Sequence, residues 1–275
     1  MESRAFDPDQ LFRSLAREGG TPKLTWYGDD FERIELSGAV LTNWLNKTTN
    51  LLAQEFAAEP DYTIALALPV HWRTLVWALS ALRTGSTLTI ASSDALPSQD
   101  IQLTVTDSPE IDWETEDLVL VTLGALARSY PGELPPGATD AARAVMTYSD
   151  ALGFVGQPEP DVQALLCSAP PTQVSYRDLK GWLISGGDNV STQTLNPSAN
   201  APRRTLITVG SSDTHSVLES IRHAVSLWNA GGSVVLCSVG VSEQLSHDEA
   251  RLERITSSER VTDQLTIQGH SNFLP

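Results

Sequence analysis

Cysteine is scarce in this chain, two in 275 residues. Cys167 and Cys237 stand outside any Cys-x-x-Cys or Cys/His spacing, so no metal ligands and no redox motif are expected. Each falls at the end of a predicted buried strand, which makes both reduced core thiols. Basic residues are few as well: 18 Lys plus Arg face 34 Asp plus Glu, a net charge of −16. Such a chain repels polyanions at long range, which argues against nucleic acid and anionic membrane surfaces as partners, while the charge keeps it in solution. Long hydrophobic runs are missing too. The longest strongly apolar stretch, Leu118–Ala127, is about half of the roughly 20 residues a membrane helix needs. Residues Met1–Asp9 mix charges without an apolar core and do not read as a signal peptide, so a cytoplasmic location is expected.

What the chain does contain is an alternation of amphipathic helices and short buried strands. Val40, Leu41, Trp44, Leu45, Leu51, Leu52 and Phe56 recur at near-3.6 spacing and predict a helix over 37–58. Residues 61–68 form a nearly continuous apolar run ended by Pro69, the pattern of a strand covered on both faces. A second helix is predicted over 71–84, closed by Gly85, and a strand follows over 87–91. Further strands are expected at 102–107 and 118–123. Residues 163–168, 205–209 and 233–237 predict three more strands, and 175–184 and 214–228 two more helices. Gly186–Pro202 reads as a long, exposed polar insertion. The expected fold is α/β, with doubly wound, mainly parallel sheets in two related halves. The first half covers 1–125 and the second 163–275. Between them, 126–162 is a Pro/Gly-rich connection with one short helix near 139–148.

The segment Gln163-Ala-Leu-Leu-Cys-Ser-Ala-Pro-Pro-Thr-Gln-Val-Ser-Tyr-Arg-Asp-Leu179 resembles the strand, loop and helix start that carry the nucleotide loop of adenylate-forming enzymes. These are the acyl-CoA synthetases, luciferases and peptide-synthetase adenylation domains. In that family the loop reads roughly Thr-Ser-Gly-Thr-Thr-Gly-x-Pro-Lys, and a helix beginning Ser/Thr-His-x-x-Leu follows. Asn50-Leu-Leu-Ala53, Ile64-Ala-Leu-Ala-Leu-Pro-Val70, Ala81-Leu-Arg-Thr-Gly-Ser-Thr-Leu88 and Ala230-Gly-Gly-Ser-Val-Val-Leu236 are similar, in order and spacing, to the family's other landmarks. The resemblance covers roughly residues 30–260 and implies the family's N-terminal fold, in the short layout of an actinobacterial-type group. It also implies that the family's Tyr-Gly-x-Thr-Glu, Thr-Gly-Asp and C-terminal catalytic lysine are not in this chain. The loop lacks its glycines and its lysine. Glycines let backbone wrap a phosphate and the lysine supplies a point charge, so a conventional ATP grip is not expected.

Three residues remain as candidate ligand contacts. Ser168 and Thr172 offer hydroxyls in the loop, and His215 opens a helix just beyond a strand, where α/β folds place ligand-binding groups. Each also has a plain structural role to weigh against this: turn solvation for the two hydroxyls and packing for the histidine. Ser212, Asp213 and His215 invite a hydrolase reading, but no Gly-x-Ser-x-Gly elbow occurs, and Asp213 serves more simply as a helix N-cap, as does Ser175. No catalytic residue and no cofactor is assigned. The expected function is that of a non-catalytic homologue of the acyl-CoA synthetase N-terminal domain, a pseudoenzyme acting as a binding or interaction module. Its partner is a homodimer mate or another protein, with weak affinity at most for an acyl or nucleotide ligand. The alternative is half of a split, AMP-forming acyl-activating ligase completed by a partner chain.

Overall fold

A computed structural model of the chain describes residues 8–92, 100–110, 115–185, 190–195 and 202–269. In chain order the elements are α1 (Pro8–Arg17), β1 (Pro22–Tyr27), β2 (Arg33–Ser37), α2 (Gly38–Glu55), β3 (Thr63–Ala67), α3 (Trp72–Thr84) and β4 (Thr87–Ile90). Then come β5 (Leu103–Thr106), β6 (Asp117–Leu120), β7 (Thr139–Asp140), α4 (Ala141–Thr147), β8 (Gln163–Ser168), β9 (Pro171–Ser175) and α5 (Tyr176–Ile184). The last are β10 (Val190–Thr194), β11 (Arg204–Val209), α6 (Thr214–Asn229), β12 (Ser233–Cys237), α7 (Val239–His247), α8 (Glu249–Ser258) and β13 (Asp263–Ile267). The strands form two mixed, mostly parallel sheets, as the apolar runs require. Among the described residues no helix is long and apolar enough to cross a membrane.

One unit is built mainly from Thr42–Leu68 and Arg73–Gly181. Its sheet runs β7-β6-β5-β3-β4-β8-β9, parallel throughout except for the β8–β9 hairpin. The centre is apolar: Ile64, Leu88, Leu103 and Leu165 meet in register and are all buried. Helix α3 is buried on every side, its polar residues Arg73, Thr74, Ser80, Arg83 and Thr84 included. Gly85 closes it at φ +88°, a backbone angle that L side chains rarely adopt. On α2, Leu41, Leu45, Leu51 and Leu52 are buried as expected. Val40 instead faces out, and Thr48, Thr49 and Asn50 go in. The reason lies in the polar side of α2. Asn50 Nδ2 donates to the carbonyls of Ser149 and Ala151, both at 2.9 Å, and its Oδ1 accepts from Gly153 N–H. Lys47 adds a 3.0 Å ion pair to Asp150.

The other unit is built mainly from Leu11–Leu41, Pro69–Trp72 and Trp182–Pro275. Its sheet runs β10-β13-β11-β12-β1-β2, parallel across β13, β11, β12 and β1, with an antiparallel strand at each edge. Leu206, Val235 and Cys237 pack with Val241, Leu245 and Ile255 of α7 and α8. Both cysteines are free and buried, and burial pushes the Cys237 thiol up to about 12.

The sheets do not divide along the chain at 126–162. Strands β1 and β2 from the expected first half complete the second sheet, and β8 and β9 from the expected second half complete the first. The 126–162 stretch supplies β7 and α4, the latter capped by Asp140. Strand partners are chosen by pairing across tens of residues, which periodicity along one segment does not encode. The polar insertion also contains structure. Val190–Thr194 is strand β10, paired antiparallel with β13, although 191–195 are exposed as expected. Residues 186–189 and 196–201 of that insertion lie outside the described residues.

Candidate ligand sites

The segment that resembles a nucleotide loop is a tight hairpin. Ser168 at the end of β8 pairs with Pro171 at the start of β9, which leaves Ala169 and Pro170 as the turn. A phosphate-binding nest needs successive backbone N–H groups turned toward one point, and neither Pro170 nor Pro171 has one. Thr172 Oγ1 donates to Pro170 O at 3.0 Å, closing the turn on itself. Ser168 is exposed. Ser175 caps α5 as its position predicts: its Oγ accepts from Asp178 N–H at 3.3 Å and lies 2.7 Å from the Asp178 carboxylate. The next residue, Tyr176, is buried, with its hydroxyl 3.0 Å from Leu82 O and 2.8 Å from Ser86 O.

The third candidate lies in the other unit. From β11 the chain crosses through α6 to β12 on one side, and from β12 it returns through α7 and α8 to β13 on the other side of β11. The carboxyl ends of β11 and β13 therefore flank the place where the connections part, the usual ligand crevice of an open α/β sheet. Gly210 N–H donates to Ile267 O there, and Ser211 Oγ lies 3.2 Å from Ser216 Oγ. A Cβ at Gly269 would stand 2.3 Å from Ser211 Oγ and 3.0 Å from its Cβ, so a side chain there would displace the Ser211 hydroxyl. Asp213 caps α6 through Ser216 N–H at 2.7 Å, and Ser212 Oγ accepts from Val70 N–H at 2.8 Å. Serine and aspartate thus hold backbone in place, which removes the hydrolase geometry. His215 is buried in the first turn of α6, 3% exposed. The structure brings Ser168 and Thr172 together on one hairpin and places His215 in the second unit.

Sequence reasoning missed a third place. At the amino ends of β1, β11 and β12 is a cavity of about 400 Å³ lined by Lys23, Arg33, Glu35, Arg204, Glu259 and Arg260, among others. Glu259, the C-cap of α8, is 5% exposed and is the hub. Its carboxylate accepts from Tyr27 Oη at 2.6 Å, from Arg33 Nε at 2.8 Å and from Arg204 Nη2. Arg204 also reaches Thr25 Oγ1, Ser233 Oγ and the Glu259 carbonyl. Burial alone would raise the Glu259 carboxyl, but the hydrogen bonds from Tyr27, Arg204 and Arg33 outweigh it and hold the group below its ordinary value. The same burial, with Glu259 accepting its proton, raises Tyr27. Lys23 is buried too, and its Nζ is taken up by Gly231 O at 3.0 Å and by Glu18 at 2.5 Å. The one signal in the sequence was a charge near the start of two strands that carry no other charge, Lys23 in β1 and Arg204 in β11.

No family model matches the chain. It is similar to a TIGR03089 family protein of Mycobacterium tuberculosis, 36% identical over 141 residues that cover 48% of this chain and 55% of that protein. Among solved structures, coronafacic acid ligase from Pectobacterium brasiliense matches with a TM-score of 0.64 at 12% identity, covering 92% of this chain and 48% of the ligase. Acetoacetyl-CoA synthetase from Streptomyces lividans matches at 0.59 and 15% identity, covering 84% and 38%. A mutant amide bond synthetase from Marinactinospora thermotolerans matches at 0.54 and 14%, covering 84% and 44%. The chain spans about half the length of these proteins or less. Its two mostly parallel sheets, with the hairpin on the edge of one, have the fold of the N-terminal part of adenylate-forming enzymes.

Proposed function

We propose that the chain is a non-catalytic homologue of the N-terminal part of these ligases and works as a binding or interaction module. The observation that carries this is the hairpin at Ala169–Pro170. Its two-residue turn is followed by a second proline, and the Thr172 hydroxyl is spent on Pro170 O. Adenylate formation depends on positioning and neutralising phosphates, and this turn has neither the glycines nor the lysine for that, with no backbone N–H at Pro170 or Pro171. The net charge of −16 favours a protein or small-molecule partner over nucleic acid. The test is pyrophosphate exchange with ATP and a broad set of carboxylic acids. No exchange above background is expected, and acid-dependent exchange by the purified chain would remove the proposal.

A second reading, half of an acyl-activating ligase completed by another polypeptide, is favoured by the crevice at the ends of β11 and β13. That crevice keeps the close Ser211–Gly269 approach at the usual ligand position. Exchange that appears only when a second chain is added distinguishes the two.

A further inference from the structure

We infer that the cavity at the amino ends of β1, β11 and β12 binds a small oxyanion, a carboxylate or phosphate group of a metabolite-sized molecule, through Arg260 and Arg33, with Arg204 held in the wall as a fixed positive charge. This site lies at the opposite ends of the strands from the usual ligand crevice, and the inference stands whether or not the chain activates acids.

Charge and free donors carry it. The lining holds Lys23, Arg33, Arg204 and Arg260 against Glu18, Glu35 and Glu259. Four cations and three anions make a local excess of +1 in a chain of net charge −16. An excess cation in so acidic a protein marks a place where a negative group is welcome. The hub fixes the guanidinium planes in advance. Glu259 holds Arg33 and Arg204 from within the wall, so a ligand need not order them. What remains unused points to the occupant. Among the described residues, Arg33 binds through Nε and Nη2, leaving Nη1 without a partner, and the Arg260 guanidinium has none. The Arg260 fork matches the two oxygens of a carboxylate or phosphate, and Arg33 Nη1 adds a single donor beside it.

Arg260 adds a conformational observation. It stands at φ +53° just beyond α8, where Arg260 N–H donates to Ser257 O and Val261 N–H to Thr256 O. This is the helix-terminating position that glycine fills best, since a side chain is strained there. Arg260 is one of five non-glycine residues at positive φ among the described residues, and of these it is the one that lines the cavity. The volume, about 400 Å³, falls in the lower part of the roughly 300–1,000 Å³ range of small-molecule sites.

Arg260→Gly separates the two roles of this residue, because glycine relieves the backbone while removing the guanidinium. Calorimetric titrations of the full chain at low ionic strength would use inorganic phosphate, succinate and glycerol 3-phosphate as probes. Saturable binding of at least one is expected, and which of them binds distinguishes a carboxylate from a phosphate occupant. Arg260→Gly should weaken that binding about tenfold or more while its thermal unfolding temperature is unchanged or raised. Arg260→Lys should retain part of the affinity, and Ser168→Ala all of it. The inference fails if none of the three probes saturates the wild-type chain, or if Arg260→Gly binds as tightly as wild type.

Discussion

In the β8–β9 hairpin the polar groups turn on their own backbone, whereas around Glu259 they turn on one another. Thr172 bonds back to Pro170, and Ser175 bonds forward to Asp178, each within three residues. Glu259 gathers Tyr27, Arg33 and Arg204 from separations of 232, 226 and 55 residues. The hairpin resembles the frame of a phosphate loop and lacks its glycines and lysine. The Glu259 cavity holds charged chemistry where no motif marks it. Local motifs therefore report a resemblance here, while the charged site is assembled by the fold. Substitutions in the two regions should separate these origins by the size of their effects.

The largest effect is expected at Glu259. Replacing it with Gln or Ala leaves Arg204, largely buried, facing Tyr27 and Arg33 without the carboxylate. Breaking a buried pair in this way costs about 3–5 kcal/mol, which urea unfolding would read directly. Stability against pH gives an independent check. The Glu259 carboxyl lies below its ordinary value of 4.5, and so does Glu219, where burial is outweighed by His223 and Arg222. A depressed carboxylate contributes stability that is fully present above the unfolded value and is lost as pH falls through the folded one. Wild type should lose stability below about pH 4.5, and Glu259→Gln should lose less over the same interval. A Gln variant with wild-type urea and acid profiles would show that the hub is a passive surface cluster.

Tyr176 is the neutral counterpart in the other unit. Its one hydroxyl proton is shared between two carbonyls, and because Leu82 O also accepts from Gly85 N–H, Tyr176→Phe leaves chiefly Ser86 O short of a donor. The expected loss is about 1–3 kcal/mol. Burial raises the Tyr176 pKa, so this contribution should stay flat from pH 5 to about 9, in contrast to that of Glu259. A loss that varied with pH across that interval would mean that the hydroxyl titrates and is not sealed in the core.

The elements that periodicity announces are present nearly residue for residue. Helix α3 and its Gly85 stop, β3 before Pro69, and the β11–α6–β12 unit with its Asp213 cap all follow from local apolar spacing and cap chemistry. What could not be read is pairing at a distance. Strands β1 and β2 were invisible because Lys23, Arg33 and Glu35 interrupt their apolar pattern, and those same charges build the cavity. The inward turn of Asn50 was hidden for a similar reason. Its partners, the carbonyls of Ser149 and Ala151, carry no side-chain signal. Of the candidate contacts, the hairpin was legible as a loss of glycine and lysine, but its closure on two residues required the strand register.

A smaller effect is expected at the cap of α6. Asp213 accepts Ser216 N–H at 2.7 Å and stands where the helix macrodipole is positive. Asp213→Ala should cost about 1 kcal/mol, and Asp213→Ser should recover most of it. A loss several times larger would point to a role in the β11–β13 crevice beyond capping.

The smallest effect is expected in the hairpin itself. Ser168 is exposed at the end of β8, and among the described residues its side chain makes no hydrogen bond, so Ser168→Ala removes only a solvated hydroxyl. Thr172 gives up one bond to Pro170 O, a carbonyl in a surface turn that water can satisfy in its place. Both variants should unfold within about 0.5 kcal/mol of wild type. Titration of wild type and both variants with ATP should give the same weak or absent signal, because neither proline can donate an N–H and no lysine stands in the turn. A clear loss of ATP binding in either variant, with unaltered unfolding, would show that the hairpin grips phosphate through hydroxyls. The ligase reading would then take precedence over the binding module, since the hairpin would hold phosphate with side-chain donors in place of backbone and lysine ones.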